Sequence, residues 1–353
     1  MPLVCHISKV VCRLRRVTGI LVMEVIEVSD QLNGGYDAVV IGGGPAGLSG
    51  ALMLARSRRS VVVIDAGAPR NAPAAGVHGL LGRDGTPPTE LLERGRAEVR
   101  GYGGQVVTGE VTAVAPDDDG FDVALADGRT VRARRLLVAT GLADELPDIQ
   151  GLRDRWGRDV VHCPYCHGWE VRDRAIGVLS TGPLSVHQAL LFRQLSENVM
   201  VFSNAWPLTD EDTEQLAARG IRVVDGKVAS IEIAGDHLVG ARMSDGTLVR
   251  REVLAVSPRM VARADVLAGL GLKPAQYPAS VGEYIPADPT GRTDVPGIWA
   301  AGNVTDLTAQ VGGAAAAGAL AGAQINADLV AEETRQAVAA YRDSFSRGSG
   351  DGR

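Results

Sequence analysis

The stretch that most constrains this chain runs from Tyr36 to Gly47 and reads Y-D-A-V-V-I-G-G-G-P-A-G. Residues 38–41 form a short apolar run, the pattern of a strand buried on both faces of a parallel sheet. It leads directly into Gly42-x-Gly44-x-x-Gly47, with Pro45 and Ala46 between the last two glycines. A helical pattern follows over residues 48–55. In such a turn the first glycine permits the tight bend and the second lets the backbone approach a pyrophosphate. The third lets helix and strand pack closely. The helix N-terminus then presents N–H groups and a positive dipole end to the phosphates. A second apolar strand, residues 61–64, ends in Asp65, placed to accept from a ribose hydroxyl. Together these features predict a dinucleotide-binding α/β domain. NAD and FAD share the fingerprint, so the residues up to Asp65 leave both open.

From Gly109 the pattern changes to short strands. Residues 111–115, 121–125 and 130–133 are separated by Asp117-Asp118-Asp119-Gly120 and by Asp127-Gly128, and Asp-Gly between alternating runs signals a hairpin. Residues 136–139 are another apolar strand, closed by Thr140-Gly141. The block returns as residues 227–233, 237–243 and 248–251 around Asp245-Gly246, before a strand at 253–256. The expected fold class is therefore α/β, with two Rossmann-like domains that each carry a small antiparallel meander. The second domain opens with a strand at 175–179 and a helix at 186–195. Its turn, however, reads Ser180-Thr181-Gly182-Pro183-Leu184-Ser185, with Ser180 in the place of the first glycine and Ser185 in that of the third. The next strand, 199–202, ends in Ser203-Asn204-Ala205, with no acid for a ribose hydroxyl and no arginine for a 2′-phosphate. This second dinucleotide site reads as eroded or remade. Residues 293–303 then read as loop, strand and polar turn. An Ala/Gly-rich helix follows over 312–329, then a solvated amphipathic end over 332–342.

With 353 residues, 45% of them hydrophobic, the chain is long enough for two compact domains. A formal charge of -6 argues against a general nucleic-acid binder. No apolar run approaches the roughly 18 residues that would span a membrane. Four cysteines in a chain of this length are not a disulfide scaffold, and one redox pair in a reducing cytoplasm fits them better. The first 22 residues carry Lys9, Arg13, Arg15 and Arg16 and no acid. Thr18 and Gly19 interrupt their apolar run, which makes a poor signal peptide. Residues 1–35 are read as an extension outside the fold, expected to be disordered, with Met23 as a candidate start.

Chemistry concentrates in His162-Cys163-Pro164-Tyr165-Cys166-His167. Two cysteines at this spacing can close into a small disulfide ring and reopen. Cys163 before Pro164 predicts an N-cap with proline at the first helical position, which places the sulfurs near a positive helix end. His167 is placed to move protons near neutral pH, with a purely local structural role as its alternative. His162 reads as structural, and nothing in the sequence places His78. A zinc site would need a second ligand pair, and His162 and His167 adjoin the same cysteines, so no metal is expected.

Four segments now carry a resemblance. Gly42-x-Gly44-x-x-Gly47, Ala139-Thr140-Gly141, Cys163-x-x-Cys166 and residues 296–303 stand in the order found in low-molecular-weight thioredoxin reductases. The similarity covers residues 36–330. It implies FAD on a first domain made of residues 36–147 and 257–343. The second domain, residues 148–256, would be inserted into it, carry the redox cysteines and bind NAD(P)H in the usual member. Residues 344–353 would be a disordered tail. Carried over to this chain, Asp65 would hold the adenosine ribose and Val111 the adenine. Thr140, Gly141 and Gly302 would complete the cradle. Asn303 would replace the family's usual aspartate on the ribityl chain. Gln310 and the following helix N-terminus would face the flavin pyrimidine end. Cys166 would face the flavin, and Cys163 would be the outer, exchanging thiol.

His167 stands where the family usually has an acid, and the second glycine turn is broken. The set Asp65-x-Gly67-x-Pro69-Arg70-Asn71, His78-Gly79, Asp84-Gly85 and Cys163 to Gly168 is more similar to a branch that includes dithiol oxidases of gliotoxin-type and holomycin-type pathways. The expected activity is FAD-dependent thiol–disulfide exchange, leaning to oxidation of a dithiol by oxygen or another acceptor. The alternatives are NAD(P)H-dependent reduction of a thioredoxin-like protein and a flavin-binding regulator without turnover. Use of NAD(P)H stays open. The expected partners are a small dithiol or a thioredoxin-like protein and a second copy of the chain in a homodimer. Nucleic acid and membrane are not expected.

Overall fold

The computed structural model describes residues 10–17, 20–27, 32–278 and 281–348. Its central sheet places Gln105–Thr108, Val61–Asp65, Gly35–Ile41, Thr130–Val138 and Ile298–Ala300 side by side, all parallel. Thr130–Val138 is long enough to serve two purposes. It pairs with Gly35–Ile41 from Arg132 onward along one edge, and along the other with Gly120–Leu125 (antiparallel) and then with Ile298–Ala300; Gly120–Leu125 in turn pairs with Val111–Asp117. The middle of the sheet is apolar because both faces are buried there, as at residues 38–41, 61–64 and 136–138. Val39 and Ile41 point into one core with the meander, and Ala38 and Val40 into another with the helices.

The helices Pro45–Arg56, Pro88–Gly101 and Val311–Gly348 cover the second face. The Ala/Gly composition of the last one has a steric cause. A Cβ on Gly318 would overlap the carbonyl of Ala46, and one on Gly322 would lie 2.5 Å from the carbonyl oxygen of Gly50. The two helices therefore cross almost backbone to backbone. Further along, Arg135 grips Asp328 at 2.7 Å and also pairs with Glu332, and Arg59 binds Glu333 at 2.6 Å.

Val160–Val161, Val253–Val256, Ile176–Leu179, Val199–Phe202 and Arg222–Val224 form a second parallel sheet in that order. Beside it lies the antiparallel set Val228–Ala234, His237–Met243 and Leu248–Arg250. The chain leaves the first sheet through Leu142–Glu145 and returns through Arg259–Ala262. The two crossings pair antiparallel, from Leu142↔Ala262 to Glu145↔Arg259. The α/β architecture with two Rossmann-like sheets and two meanders is thus present. Among the described residues no helix is long and apolar enough to cross a membrane.

Two expectations of disorder need correction. Val10–Val17 and Ile20–Glu27 form an antiparallel hairpin, in register from Val10↔Glu27 to Val17↔Ile20, apart from the other sheets. Val recurs in the first run and Val and Ile in the second, residues that favour strands. The other residues of 1–31 lie outside the described ones. At the far end the last helix continues to Gly348 rather than stopping near Ser344. No glycine or proline occurs between Ile325 and Gly348 to break it. Residues 349–353 lie outside the described ones.

Candidate active site

One elongated cavity of about 1280 Å³ runs between the two sheets, from Asp65 and Val111 at one end to the cysteines at the other. Strand Gly35–Ile41 delivers Gly42 to its rim at φ 104, a conformation that suits glycine. A Cβ on Gly47 would overlap the Gly42 carbonyl, so the third glycine is what lets the helix close on its own turn. Gly44, the helix N-cap, has open space where its Cβ would be, and Pro45 and Ala46 line the cavity after it. A pyrophosphate fits this backbone, since the N–H groups of a first helical turn lack intrahelical partners.

Asp65 ends its strand against this turn. Its carboxylate accepts from the Gly67 amide at 3.2 Å and from Arg96 at 2.8 Å. Arg96 lies on the helix Pro88–Gly101, where no motif marks it. Gly47 and Gly302 are placed behind the wall, and they act through packing. A Cβ on Gly302 would stand 2.8 Å from that of Ala46. The Thr140 hydroxyl donates to the Arg263 carbonyl at 2.7 Å, and the Arg263 amide donates to Gly141 at 3.1 Å. Thr140-Gly141 thus ties the outgoing crossing to the returning one while lining the cavity. Gln310 also lines it, at the entrance to the last helix.

Asn303 does more than stand in for an aspartate. Its side-chain Nδ2 donates to the carbonyls of Asp306 at 3.0 Å and Ala309 at 2.8 Å. The amide holds the loop that carries Gln310, a task that a carboxylate, which only accepts, cannot perform. Asn303→Asp is expected to weaken FAD binding by about tenfold, because it sets an acceptor against carbonyl oxygens. Asn303→Ala should lose less. Fluorescence titration of the apoprotein with FAD checks the order, and equal or tighter binding by the aspartate variant would refute this role.

At the far end Cys163 is the N-cap of the one-turn helix Pro164–His167. The amides of Cys166 and His167 donate to the Cys163 carbonyl at 3.1 and 3.0 Å. Gly168 follows because a Cβ there would overlap the Pro164 carbonyl. Both cysteines are free. The Cys163 thiol is lowered to about 7, first by the hydrogen bond from the Cys166 thiol, against burial, and then by the amides of Tyr165 and Cys166 and the charge of Arg70. Cys166 is pushed up, because its proton is held by Cys163 and because it is buried. The expected helix-end effect is thus secondary to the pairing of the two sulfurs.

Burial lowers His162 to about 4, with Arg70 adding to the effect. His167 is also lowered by burial, against the pull of Glu170. At neutral pH both rings are therefore neutral, and the buried Nε2 of His167 has no hydrogen-bond partner among the described residues. His167 is in a state to accept a proton. His78, which the sequence could not place, lines the cavity with Nε2 3.4 Å from Glu170 and Nδ1 3.4 Å from Asp84. Among the described residues no group of three or more His, Cys, Asp or Glu could hold a metal ion.

The glycine-poor turn of the second sheet is closed upon itself. The amides of Thr181 and Gly182 donate to the Ser185 hydroxyl at 3.1 and 3.2 Å. Ser180 is fully buried and its hydroxyl donates to the Trp206 carbonyl at 3.2 Å. At the end of the next strand Ser203 and Asn204 accept from the amides of Gly226 and Val228.

The family model described as pyridine nucleotide-disulphide oxidoreductase matches residues 36–334. The thioredoxin reductase tcpT of Claviceps purpurea is 33% identical over 308 residues, 84% of this chain and 95% of its own length. The thioredoxin reductase sirT of Leptosphaeria maculans is 32% identical over 82% of this chain and 93% of its own. The crystal structure of HlmI matches with a TM-score of 0.83 and 46% identity, over 89% of this chain and 98% of that one. The cradle fits the cofactor of such enzymes at the glycine turn, at Asp65 and along the wall that leads to a reduced cysteine pair. The chain belongs to the pyridine nucleotide-disulphide oxidoreductases, as a thioredoxin-reductase-like, FAD-dependent disulfide oxidoreductase.

Proposed function

We propose that this enzyme oxidises a small dithiol to its disulfide and passes the electrons through FAD to oxygen or another acceptor. The observation that carries the reading is the self-closed turn of the second sheet. Its amides, which would meet a pyrophosphate in a nucleotide-binding domain, already serve the Ser185 hydroxyl. A ligand there must first displace a satisfied internal bond. Arg193 caps the far end of the helix Ser185–Phe192 that follows this turn, and its bonds hold it there. Its Nε donates to the Arg219 carbonyl at 3.1 Å and its Nη1 to that of Ser196 at 3.3 Å.

The reaction begins with the Cys163–Cys166 disulfide. One substrate thiolate attacks the Cys163 sulfur and the S–S bond breaks, leaving Cys166 with the electron pair. The second substrate thiol loses its proton to His167 and attacks the first substrate sulfur. The substrate disulfide closes and Cys163 leaves as a thiolate, the form that a hydrogen bond from Cys166 favours once Cys166 has taken up a proton. The substrate is oxidised by two electrons and the cysteine pair is reduced by two. FAD bound in the cradle supplies the two-electron acceptor that restores the disulfide. In the proposed assignment, Gly42, Gly44, Pro45, Ala46, Gly47, Asp65, Val111, Thr140, Gly141, Gly302, Asn303 and Gln310 form that cradle. Cys163, Cys166 and His167 perform the exchange.

The printed names of the relatives favour a second reading, NAD(P)H-dependent reduction of a thioredoxin. Anaerobic rapid mixing separates the two. A dithiol is expected to bleach the flavin absorbance at least about a hundredfold faster than excess NADPH or NADH, the loss expected when a phosphate site is missing. Fast reduction by either nucleotide would restore the reductase reading.

A further inference from the structure

The cysteine segment lies along a helix of the second domain. Ser185–Phe192 follows the self-closed turn, and Leu184 and His187 at its start line the cavity together with Cys163 and Cys166. One turn into this helix, Gln188 is only 5% exposed. Its Nε2 donates at 2.7 Å to the His162 carbonyl, which belongs to the peptide bond that joins His162 to Cys163. Beyond the helix, Leu195 holds the other end of the segment. Its carbonyl accepts from the Asp173 amide at 2.9 Å, and a Cβ on Gly168 would overlap its side chain. Residues 162–173 are thus fastened at both ends to one short stretch, residues 188–195.

The fastening at Gln188 does not come from packing. The Oε1 of Gln188 is buried and has no hydrogen-bond partner among the described residues. An orphaned buried acceptor destabilises a fold, and an apolar side chain would fill the same space without one. Only the donor half of the amide is used, and it is used on the backbone that carries a sulfur. The strand Val160–Val161 ends two residues before Cys163, and the helix Pro164–His167 begins one residue after it. His162 is the joint between them, and its carbonyl is what Gln188 holds. Disulfide exchange needs the attacking, attacked and leaving sulfurs in one geometry, and a displacement of about 1 Å costs such a reaction heavily.

We propose that Gln188 is a positioning residue for the redox pair. Its amide holds the His162–Cys163 peptide, so that Cys163 keeps its place as the disulfide opens and closes. The helix that follows the closed turn thereby serves the cysteines in place of a phosphate. The proposal rests on Cys163 and Cys166 being the redox pair and is independent of the direction of electron flow.

The test asks whether a donor at residue 188 sets the rate of exchange. Oxidised, FAD-loaded full-length protein is mixed anaerobically with dithiothreitol over a range of pH, and bleaching of the flavin is followed. Each variant's rate is divided by that of the unsubstituted protein at the same pH, which cancels the titration of the dithiol, of the cysteines and of His162 and His167. Gln188→Met fills the space without a donor and should slow bleaching about tenfold at every pH, the effect of one hydrogen bond lost at the reacting segment. Gln188→Glu should be as slow at high pH, where a carboxylate faces the His162 carbonyl. Its ratio should climb as pH falls, because a protonated carboxyl donates to that carbonyl again. Burial places this recovery above the ordinary carboxylate range. A role in packing alone predicts that Gln188→Glu tracks Gln188→Met at every pH, and that result would overturn the proposal. So would unslowed bleaching of Gln188→Met with normal FAD content. If Gln188→Met fails to fold, the pH course of Gln188→Glu decides alone. Absence of a Cys163–Cys166 disulfide from peptide maps of the oxidised protein would instead overturn the redox-pair assignment, and this proposal with it.

Discussion

Cys163→Ser and Cys166→Ser should each lower dithiol turnover by about three orders of magnitude or more, the loss seen when a covalent nucleophile is removed, and leave FAD in place. A hydroxyl cannot form the disulfide that accepts the substrate electrons, so the chemistry is lost outright. The cradle is held by the glycine turn, Asp65 and the Asn303 loop, none of which is bonded to either cysteine. The two variants should differ in one respect. With Cys166 replaced, Cys163 loses its thiol partner, the first cause of its lowered pKa, and its alkylation at neutral pH should slow. Turnover assays with a dithiol, together with the ratio of flavin to protein absorbance, check both halves. Near-normal activity in both variants would remove the CxxC pair from the mechanism.

Gly47→Val should yield protein with less than about a tenth of the normal flavin content, the loss of roughly 1.4 kcal/mol or more that overpacking brings. A Cβ at residue 47 overlaps the Gly42 carbonyl, and it also lies 3.2 Å from Val40 Cγ1. The helix must back away from the turn, and the first-turn amides then leave the place where a pyrophosphate would sit. Gly44→Ala, at a position where the Cβ meets open space, should keep the fold and lose flavin through crowding of the ligand alone. Thermal melting separates the two, since only Gly47→Val should lower the midpoint of the apoprotein. A full flavin complement in Gly47→Val would place the cofactor elsewhere.

Sequence by itself determined the scaffold. Short all-apolar runs, glycines before helices and Asp-Gly turns between alternating runs are local signals, each governed by a few neighbouring residues. They placed the strand Gly35–Ile41, the meanders and the CxxC helix, and the repeated order of strands foretold two similar sheets. The same local reasoning missed the paired strands Val10–Val17 and Ile20–Glu27.

Tertiary structure decided what the polar side chains do, because a hydrogen bond or a charge acts through space over residues far apart in the chain. Thr140 lines the cavity while its hydroxyl ties to the distant Arg263, and the amide of Asn303 braces the loop ahead of the last helix. Arg96 carries no motif, yet it holds Asp65, and Arg70, which entered only through a resemblance, binds both oxygens of Asp144. Spacing showed that Ser185 breaks a glycine pattern. Only folding brought its hydroxyl under the Thr181 and Gly182 amides, so that a missing glycine became a closed site.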